Sequence, residues 1–555
     1  MSLLQIFPGL SKVMRHGGTH LTHAAGVQGS ELTSLVSSVF LNRDALMNVN
    51  CIKPSNASGS SLEGESIKRT APEDLKVPLK KSKLPTTRID RISTFAGLAF
   101  ALLTSPSSSK STVLSSYLRR LRGGALKLGQ MLSLQDTTVL PVEWSKALDN
   151  LRNKADAMPE EELKEIFKRE WGVGIEDVNG GNVVGFNRRV EEGGLGEGAD
   201  RDHWLLDYCS IPDSHVLKMS TSGSPVTVGD IKSIRPQAFA SASIGQVHLA
   251  TLKDDSHLIL KVQYPDILTS ITNDIANLQG LIRYMNVVPK GVFLDSIIEQ
   301  GVREVEGECD YEREQRGMAR YRSLLEGDPE LKALGFQIPK VVPGLTTKRI
   351  LVTEYAYGVT IDKCEGMSQE VRDNIGRGVL RLTLLELFVW RFMQTDPNWG
   401  NFLYDEVTGL TTLIDFGGVR KFDRSFVEGY LEIVMAAADG NEDKLMSKSI
   451  DMGFLDGNES QIMLDAHLGA GLVLGEPFRT KGSYDFGSSA ITSRIGGHAK
   501  VFSQHRTQPP PPEVYTLHRK LAGAFLLCTK LKCDFECREL LDEVWERVRK
   551  GDVEV

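Results

Sequence analysis

Cysteine is scarce in this chain of 555 residues, with seven at Cys51, Cys209, Cys309, Cys364, Cys528, Cys533 and Cys537 in no regular spacing. That pattern excludes a disulfide framework and points to reduced thiols. Cys533 and Cys537 could share a helix face, but no further ligands are spaced to complete a zinc site with them. Basic charge is not in excess either. The net charge of −7 argues against a nucleic-acid partner, because phosphate binding wants a basic surface. No apolar run reaches the ~18–20 residues needed to span a bilayer. The nearest, Ile92 to Leu103, contains Ser93 and Thr94 and reads as a buried or interfacial helix. Lys80, Lys81, Lys83 and Arg88 precede it, which suits peripheral contact with an anionic membrane surface. Acidic residues are missing before Glu31, whereas Lys12, Arg15 and several serines and threonines are present. Residues 1–45 therefore read as an organellar transit peptide, the alternative being a plain disordered tail.

What is present is the composition of a folded protein, 41% hydrophobic and 25% charged, at a length that calls for two or three units. Residues 46–89 are rich in serine, lysine and proline and read as a linker. Residues 90–173 read as a helical extension. Within it Leu114, Leu118, Leu121, Leu128 and Leu132 recur on one helical face. Residues 174–235 carry many glycines and acids and read as an inserted loop. From Gln246 the period changes to that of strands. Val247–Ala250 and His257–Val262, joined by the turn-type Lys253-Asp254-Asp255-Ser256, predict an antiparallel hairpin. Further strand-like runs are Gln337 to Val342 and Arg349 to Tyr355, and the chain after Ser368 is mainly helical. A small β-rich lobe, 236–357, thus precedes a larger helical lobe, 358–555. The cleft between two such lobes is the expected ligand site.

Four features in that frame carry chemistry. Thr411-Thr412-Leu413-Ile414 is an apolar strand that delivers Asp415-Phe416-Gly417, the arrangement in which kinases hold Mg²⁺ on the ATP phosphates. The tripeptide alone is weak evidence. Upstream, Asp396 and Asn401 repeat the aspartate and asparagine of a kinase catalytic loop at the same spacing. The bland alternative is a pair of Asx turns around Pro397. Lys261 lies inside the second hairpin strand, flanked by Leu258, Ile259, Leu260 and Val262, so that the strand reads as buried on both faces. A buried lysine needs a partner, and in kinases the partners are ATP phosphates and a helix glutamate. Before the hairpin, where a kinase has a glycine-rich loop, stand Ala240, Ser241, Ala242 and Ser243, whose Cβ atoms restrict the backbone near the phosphates.

Together these residues resemble the UbiB family of atypical kinases, most of all its mitochondrial ADCK-type members required for coenzyme Q (ubiquinone) biosynthesis. The resemblance rests on the Lys-x-Gly-Gln stretch at Lys127 to Gln130, the Ala-rich loop from Ala240 to His248, and Glu308-Cys309-Asp310-Tyr311. Phe392 to Asn401, Asp415-Phe416-Gly417 and Tyr515 to Lys520 complete it, and together the motifs span roughly residues 90 to 545. It implies an α+β, protein-kinase-like bilobal fold, with the helical extension folded over the cleft. ATP and Mg²⁺ are the implied cofactors. Lys261 is implied to contact ATP and to pair with Glu314 on the helix of Glu308. Thr353, Glu354, Tyr355 and Ala356 match the adenine-binding hinge. Asp396 matches the catalytic aspartate, and Asn401 and Asp415 the metal ligands. Lys127, Gln130, Glu308 and Asp310 would form a regulatory set that excludes protein substrates from the cleft.

The resulting expectation is an ATPase or small-molecule kinase on the matrix side of the mitochondrial inner membrane. Its expected partners are coenzyme Q biosynthesis proteins, the membrane surface with its prenylated lipid intermediates, and a second copy of the chain. A non-catalytic nucleotide-binding scaffold and a protein kinase are the alternatives. The protein-kinase alternative is weakened by Gln394-Thr395-Asp396, which lacks the arginine that reads a phosphorylated activation loop.

Overall fold

The computed structural model describes residues 158–181, 211–220, 222–241, 244–265, 305–506 and 509–552, with isolated helical positions at 94, 97, 98, 101, 104, 113, 117, 267 and 302. All of these belong to the unit Lys76–Val555. The transit peptide, the linker, most of the extension (with Lys127 and Gln130), Ala242 and Ser243 lie outside the described residues.

The chain enters on helix α1, Glu160–Trp171, whose Leu163, Ile166, Phe167 and Trp171 form a buried stripe. Three glutamates in its first turn and Lys168 and Arg169 in its last complement the helix dipole. The Trp171 Nε1–H donates to the Leu345 carbonyl at 2.9 Å, and the Met158 N–H donates to Gln246 Oε1 at 2.7 Å. Burial pushes the His248 imidazole down to about 4. The uncharged ring donates Nδ1–H to the Arg235 carbonyl and accepts at Nε2 from Gln246. Helix α2, Ile175–Asn179, follows directly.

The small lobe is an antiparallel sheet of β1 (Ile231–Ile234), β2 (Ala240–Ser241), β3 (Gly245–Leu252), β4 (His257–Gln263) and β6 (Ile350–Glu354). Its order is β1-β3-β4-β6, with β2 also on β3. The β3–β4 hairpin turns where the sequence predicts, with Asp255 at φ 64°. Burial would raise the Asp254 carboxyl, but the hydrogen bonds it accepts there from the side chains and N–H groups of Ser220 and Ser256 together outweigh burial and hold it well below the usual range. Helix α3, Tyr311–Glu326, starts at Asp310, whose side chain accepts from the Arg313 N–H at 2.9 Å. Helix α4, Pro329–Ala333, leads into β5, Phe336–Gln337.

The structure differs from the sequence reading in several places. The sheet begins at Ile231, so the end of the stretch read as an inserted loop is strand, and α2 occupies its start. Gln337–Val342 does not form one strand. Pro339 and Pro343 interrupt the ladder; only Phe336–Gln337 is strand, with Val341 making isolated bridges. β4 is not buried on both faces: Leu258, Leu260 and Val262 are core, while His257, Ile259 and Lys261 are half-buried. Glu308 and Glu314 are not on one helix, because Cys309 and Asp310 break it between them.

The large lobe is built on α5, Gln369–Leu384, which continues into a π-helical stretch at Leu385–Val389. A sheet of order β5-β10-β9-β7 combines β7 (Val359–Thr360), β9 (Phe402–Asp405) and β10 (Leu410–Leu413) with β5. β8 (Phe392–Gln394) pairs with β11 (Val419–Lys421). Helices α6 (Arg424–Asp439), α7 (Glu442–Asp451), α8 (Gln461–Arg479), α9 (Ile491–His505) and α10 (Pro512–Leu531) follow. Strands β12 (Ser483–Asp485) and β13 (Asp534–Glu536), separated by α9 and α10, pair antiparallel, and α11 (Arg538–Lys550) ends the described chain. Cys309, Cys364, Cys528, Cys533 and Cys537 are buried as free thiols. Among the described residues no helix is long and apolar enough to cross a membrane.

Candidate active site

Strand β4 presents Lys261 on its half-buried face, directly opposite Leu351 of β6 and Val247 of β3. Its Nζ lies 2.9 and 3.2 Å from the two Glu314 carboxylate oxygens and 3.3 Å from Asp415 Oδ1. The ammonium also stands 5.3 Å from the centre of the Tyr311 ring. Burial alone would favour the neutral amine. The charges of Asp415 and Glu314 outweigh it and hold the Lys261 pKa well above the ordinary value. Glu314, 1% exposed, is pushed up to about 7 by burial, with Lys261 pulling it down and Asp415 pushing it further up. Lys261 is thus the cation between two carboxylates, one deeply buried and one, Asp415, 35% exposed toward the cleft.

The backbone at Asp415 is fixed from both sides. The Phe416 N–H donates to Glu314 Oε1 at 3.3 Å, and the Gly417 N–H donates to Asp415 Oδ1 at 3.1 Å. The Phe416 ring is fully buried, 5.1 Å centre to centre from Tyr321, which also meets Trp390 and Phe392. Glu308 lies beside this turn: a Cβ on Gly417 would come within 3.0 Å of Glu308 Cγ. Asp310 acts differently, as the cap of α3, so the two acids of the Glu-x-Asp stretch do separate work.

Asp396 and Asn401 come together in a tight loop. Asp396 accepts from the Asn398 N–H at 3.2 Å and from Asn401 Nδ2 at 3.2 Å, and Asn398 accepts from the Gly400 N–H at 3.1 Å. The Asx turns are therefore real, and they shape the loop rather than replace its chemistry. The Asn401 carbonyl accepts from the Ile414 N–H at 2.9 Å, which ties Asn401 to the residue before Asp415. The structure thus joins Lys261, Glu314 and Asp415 in one cluster and ties the Asp396–Asn401 loop to it through the Asn401–Ile414 bond. Three carboxylates, an amide oxygen and an ammonium include the groups that a nucleotide phosphate with a hard divalent cation requires.

Thr353 and Glu354 end β6 beside β4, and the Tyr355 N–H donates to the His257 carbonyl at 3.2 Å. Ala356 follows at the lobe junction. Ala240 pairs with Val247, and Ser241 with Gln246, so the first two residues of the Ala-rich stretch are strand β2. Gly245 later in that stretch is obligatory: a Cβ there would lie 2.5 Å from the Val262 carbonyl oxygen.

Sequence reasoning missed a second layer under Asp396. Lys520 of α10 is 4% exposed, with Nζ 3.1 Å from Glu386 Oε2 and 3.0 Å from Gln394 Oε1. The signal was available. Lys520 falls in the apolar stripe of Leu517, Leu521, Ala524, Phe525 and Cys528, and Glu386 stands among Leu384, Leu385, Leu387 and Phe388.

The two lobes, the lysine–glutamate pair and the aspartate–asparagine loop define a protein-kinase-like, ATP-binding enzyme. The model of the ABC1 atypical kinase-like domain matches residues 215–449. The chain is similar to the protein described as atypical kinase COQ8B, mitochondrial, of Rattus norvegicus, at 36% identity over 84% of this chain and 82% of that protein. It is also similar to the protein of the same description from Danio rerio, at 34% identity over 88% and 73% of the two chains. Atypical kinase COQ8, mitochondrial, of Saccharomyces cerevisiae shares 32% identity over 88% and 90%. The chain belongs to the ABC1 family of atypical kinases.

Proposed function

We propose that this protein is a mitochondrial, Mg²⁺-dependent ATPase or small-molecule kinase that supports coenzyme Q biosynthesis. The closed cluster of Lys261, Glu314 and Asp415 beside Asp396 and Asn401 carries this reading. Lys261 would hold the phosphates. Asp415 and Asn401 would hold Mg²⁺, which supplies charge neutralisation at the transferred phosphoryl group. Thr353, Glu354, Tyr355 and Ala356 would receive adenine, and the loop of Ala240, Ser241, Ala242 and Ser243 would cover the phosphates. Asp396 would accept the proton of an attacking hydroxyl or water. Lys127, Gln130, Glu308 and Asp310 would restrict the acceptor to a small molecule or lipid.

The mitochondrial descriptions of the relatives and the acid-free stretch before Glu31 support import. The matrix face of the inner membrane, with prenylated lipid intermediates, coenzyme Q biosynthesis proteins and a second copy of the chain as partners, completes the proposal. The test is ATP turnover with and without Mg²⁺, and with and without membranes carrying prenylated phenols, in the presence of a generic protein acceptor. Mg²⁺-dependent turnover raised by those membranes is expected. Robust labelling of the acceptor would favour a protein kinase, and absence of turnover a nucleotide-binding scaffold.

A further inference from the structure

The groups immediately before Asp396 are tied to the far end of the chain. Gln394 and Glu386 are both fully buried, and Lys520 contacts each of them. One residue on, the Thr395 carbonyl accepts from Arg519 Nη2 at 3.2 Å. The Thr395 N–H and Oγ1–H donate to the Gly418 carbonyl at 2.8 and 2.6 Å. Beyond Asp396, Trp399 Nε1–H donates to the Gly523 carbonyl at 3.2 Å, and a Cβ on Gly523 would press within 2.6 Å of Pro397. Helix α10 therefore grips the loop on both sides of Asp396, whose own hydrogen bonds to Asn398 and Asn401 lie within the loop.

An apolar pair would fasten a helix to a strand as well as a buried ion pair does, because removing two charges from water costs several kcal/mol. What the ion pair adds is direction. The Lys520 ammonium donates to the Gln394 side-chain oxygen at 3.0 Å while the Glu386 carboxylate holds that ammonium at 3.1 Å, so the pair orients the residue two before Asp396. Glu386 lies in the π-helical stretch, an irregularity common at functional positions.

We propose that Lys520 and Glu386 are positioning residues for Asp396, fixing Gln394 and through it the entry of the catalytic loop, with Arg519 as a second strap on Thr395. The inference rests on the proposed function and is tested separately from it.

Three full-length proteins are compared: wild type, Asp415→Asn, and the double variant Lys520→Met, Glu386→Leu, which removes both charges and leaves no orphan ion. The double variant is expected to melt close to wild type and to keep its Mg·ATP-induced stabilisation. Its KM for ATP should stay within about twofold and its kcat should fall by about tenfold or more. Recovery of wild-type kcat together with stability would make the pair a packing element and overturn the inference. So would a parallel loss of ATP affinity, or failure of the double variant to fold. If the wild type itself shows no Mg²⁺-dependent turnover, or Asp415→Asn keeps it, the proposed function fails and takes this inference with it. Wild-type turnover lost in Asp415→Asn but kept in the double variant sinks only the positioning role.

Discussion

Lys261→Met removes the cation that bridges Glu314 and Asp415, and its cost should depend on pH in a calculable way. At 2.9 Å and an effective dielectric of ~20, the attraction to Glu314 is about 6 kcal/mol. Losing it lifts the Glu314 carboxyl, already at about 7, well beyond pH 9. An acid whose folded pKa is raised contributes stability that is complete below its unfolded value and is lost as pH rises through its folded value. In the wild type that loss runs from 4.5 to about 7 and then stops, because Glu314 has ionised. In the variant Glu314 stays protonated and the loss continues at about 1.4 kcal/mol per pH unit. The stability gap should thus be nearly flat below about pH 6, then open to about 1.4 kcal/mol more at pH 8 and about 2.7 kcal/mol more at pH 9. Lys261 itself titrates well above 10.5 and adds nothing in this window. Denaturant unfolding of both proteins without nucleotide, at pH 6, 7, 8 and 9, measures the gap. Adding Glu314→Gln to both should abolish its pH dependence. A gap that is constant across the range, or widest in acid, would refute the assignment of Glu314 as the buried partner of Lys261.

Asp415→Asn should melt like wild type yet lose Mg·ATP-induced thermal stabilisation, because in the proposed role the lost charge would face a divalent cation; undiminished stabilisation would refute the metal role. Gly245→Ala should destabilise the fold by about 2 kcal/mol or more in denaturant titration, since the new methyl meets a strand carbonyl at 2.5 Å that cannot retreat without breaking the β3–β4 ladder. Deleting residues 1–45 should leave a folded protein in the cytosol, and mitochondrial recovery at wild-type levels would overturn the targeting reading. Exhaustive phosphatase treatment should leave ATP turnover unchanged within about twofold, read against the untreated protein.

The hairpin, its turn and the strand leading to Asp415 were legible because each is written in a few adjacent residues. Lys261 was found for a partly mistaken reason. The apolar run around it suggested a strand buried on both faces, whereas Ile259 and His257 share its half-buried face. The break between Glu308 and Glu314 left no glycine or proline to mark it. Its cause is Asp310 acting as an N-cap, its side chain accepting from the Arg313 N–H at 2.9 Å. The strand expected at Gln337–Val342 failed for an opposite reason: its composition is strand-like, but Pro339 and Pro343 remove donors the ladder needs. The Lys520–Glu386–Gln394 contact was illegible as a contact because its partners lie 126 and 134 residues apart. Each charge was nevertheless visible as an intruder in an apolar helical stripe, a pattern that marks a buried pair before its partner is known.

The way the catalytic loop is anchored bears on how such a site is controlled. In kinases with an arginine before the catalytic aspartate, that arginine meets a phosphorylated loop, and modification assembles the site. Here Thr395 occupies the position and spends its hydroxyl and amide on the Gly418 carbonyl, in the segment just after Asp415. Gln394 is held by Lys520, Phe416 is packed under Tyr321, and the Lys261–Glu314 pair is closed. Each of these links is made between groups of the chain itself. The groups proposed for catalysis are thus held by contacts within the chain, and phosphatase treatment is expected to leave turnover unchanged. Control of such a site has to act on what enters the cleft rather than on building it. The same logic favours a lipid or small-molecule acceptor whose arrival at the cleft, not a covalent mark, sets the rate.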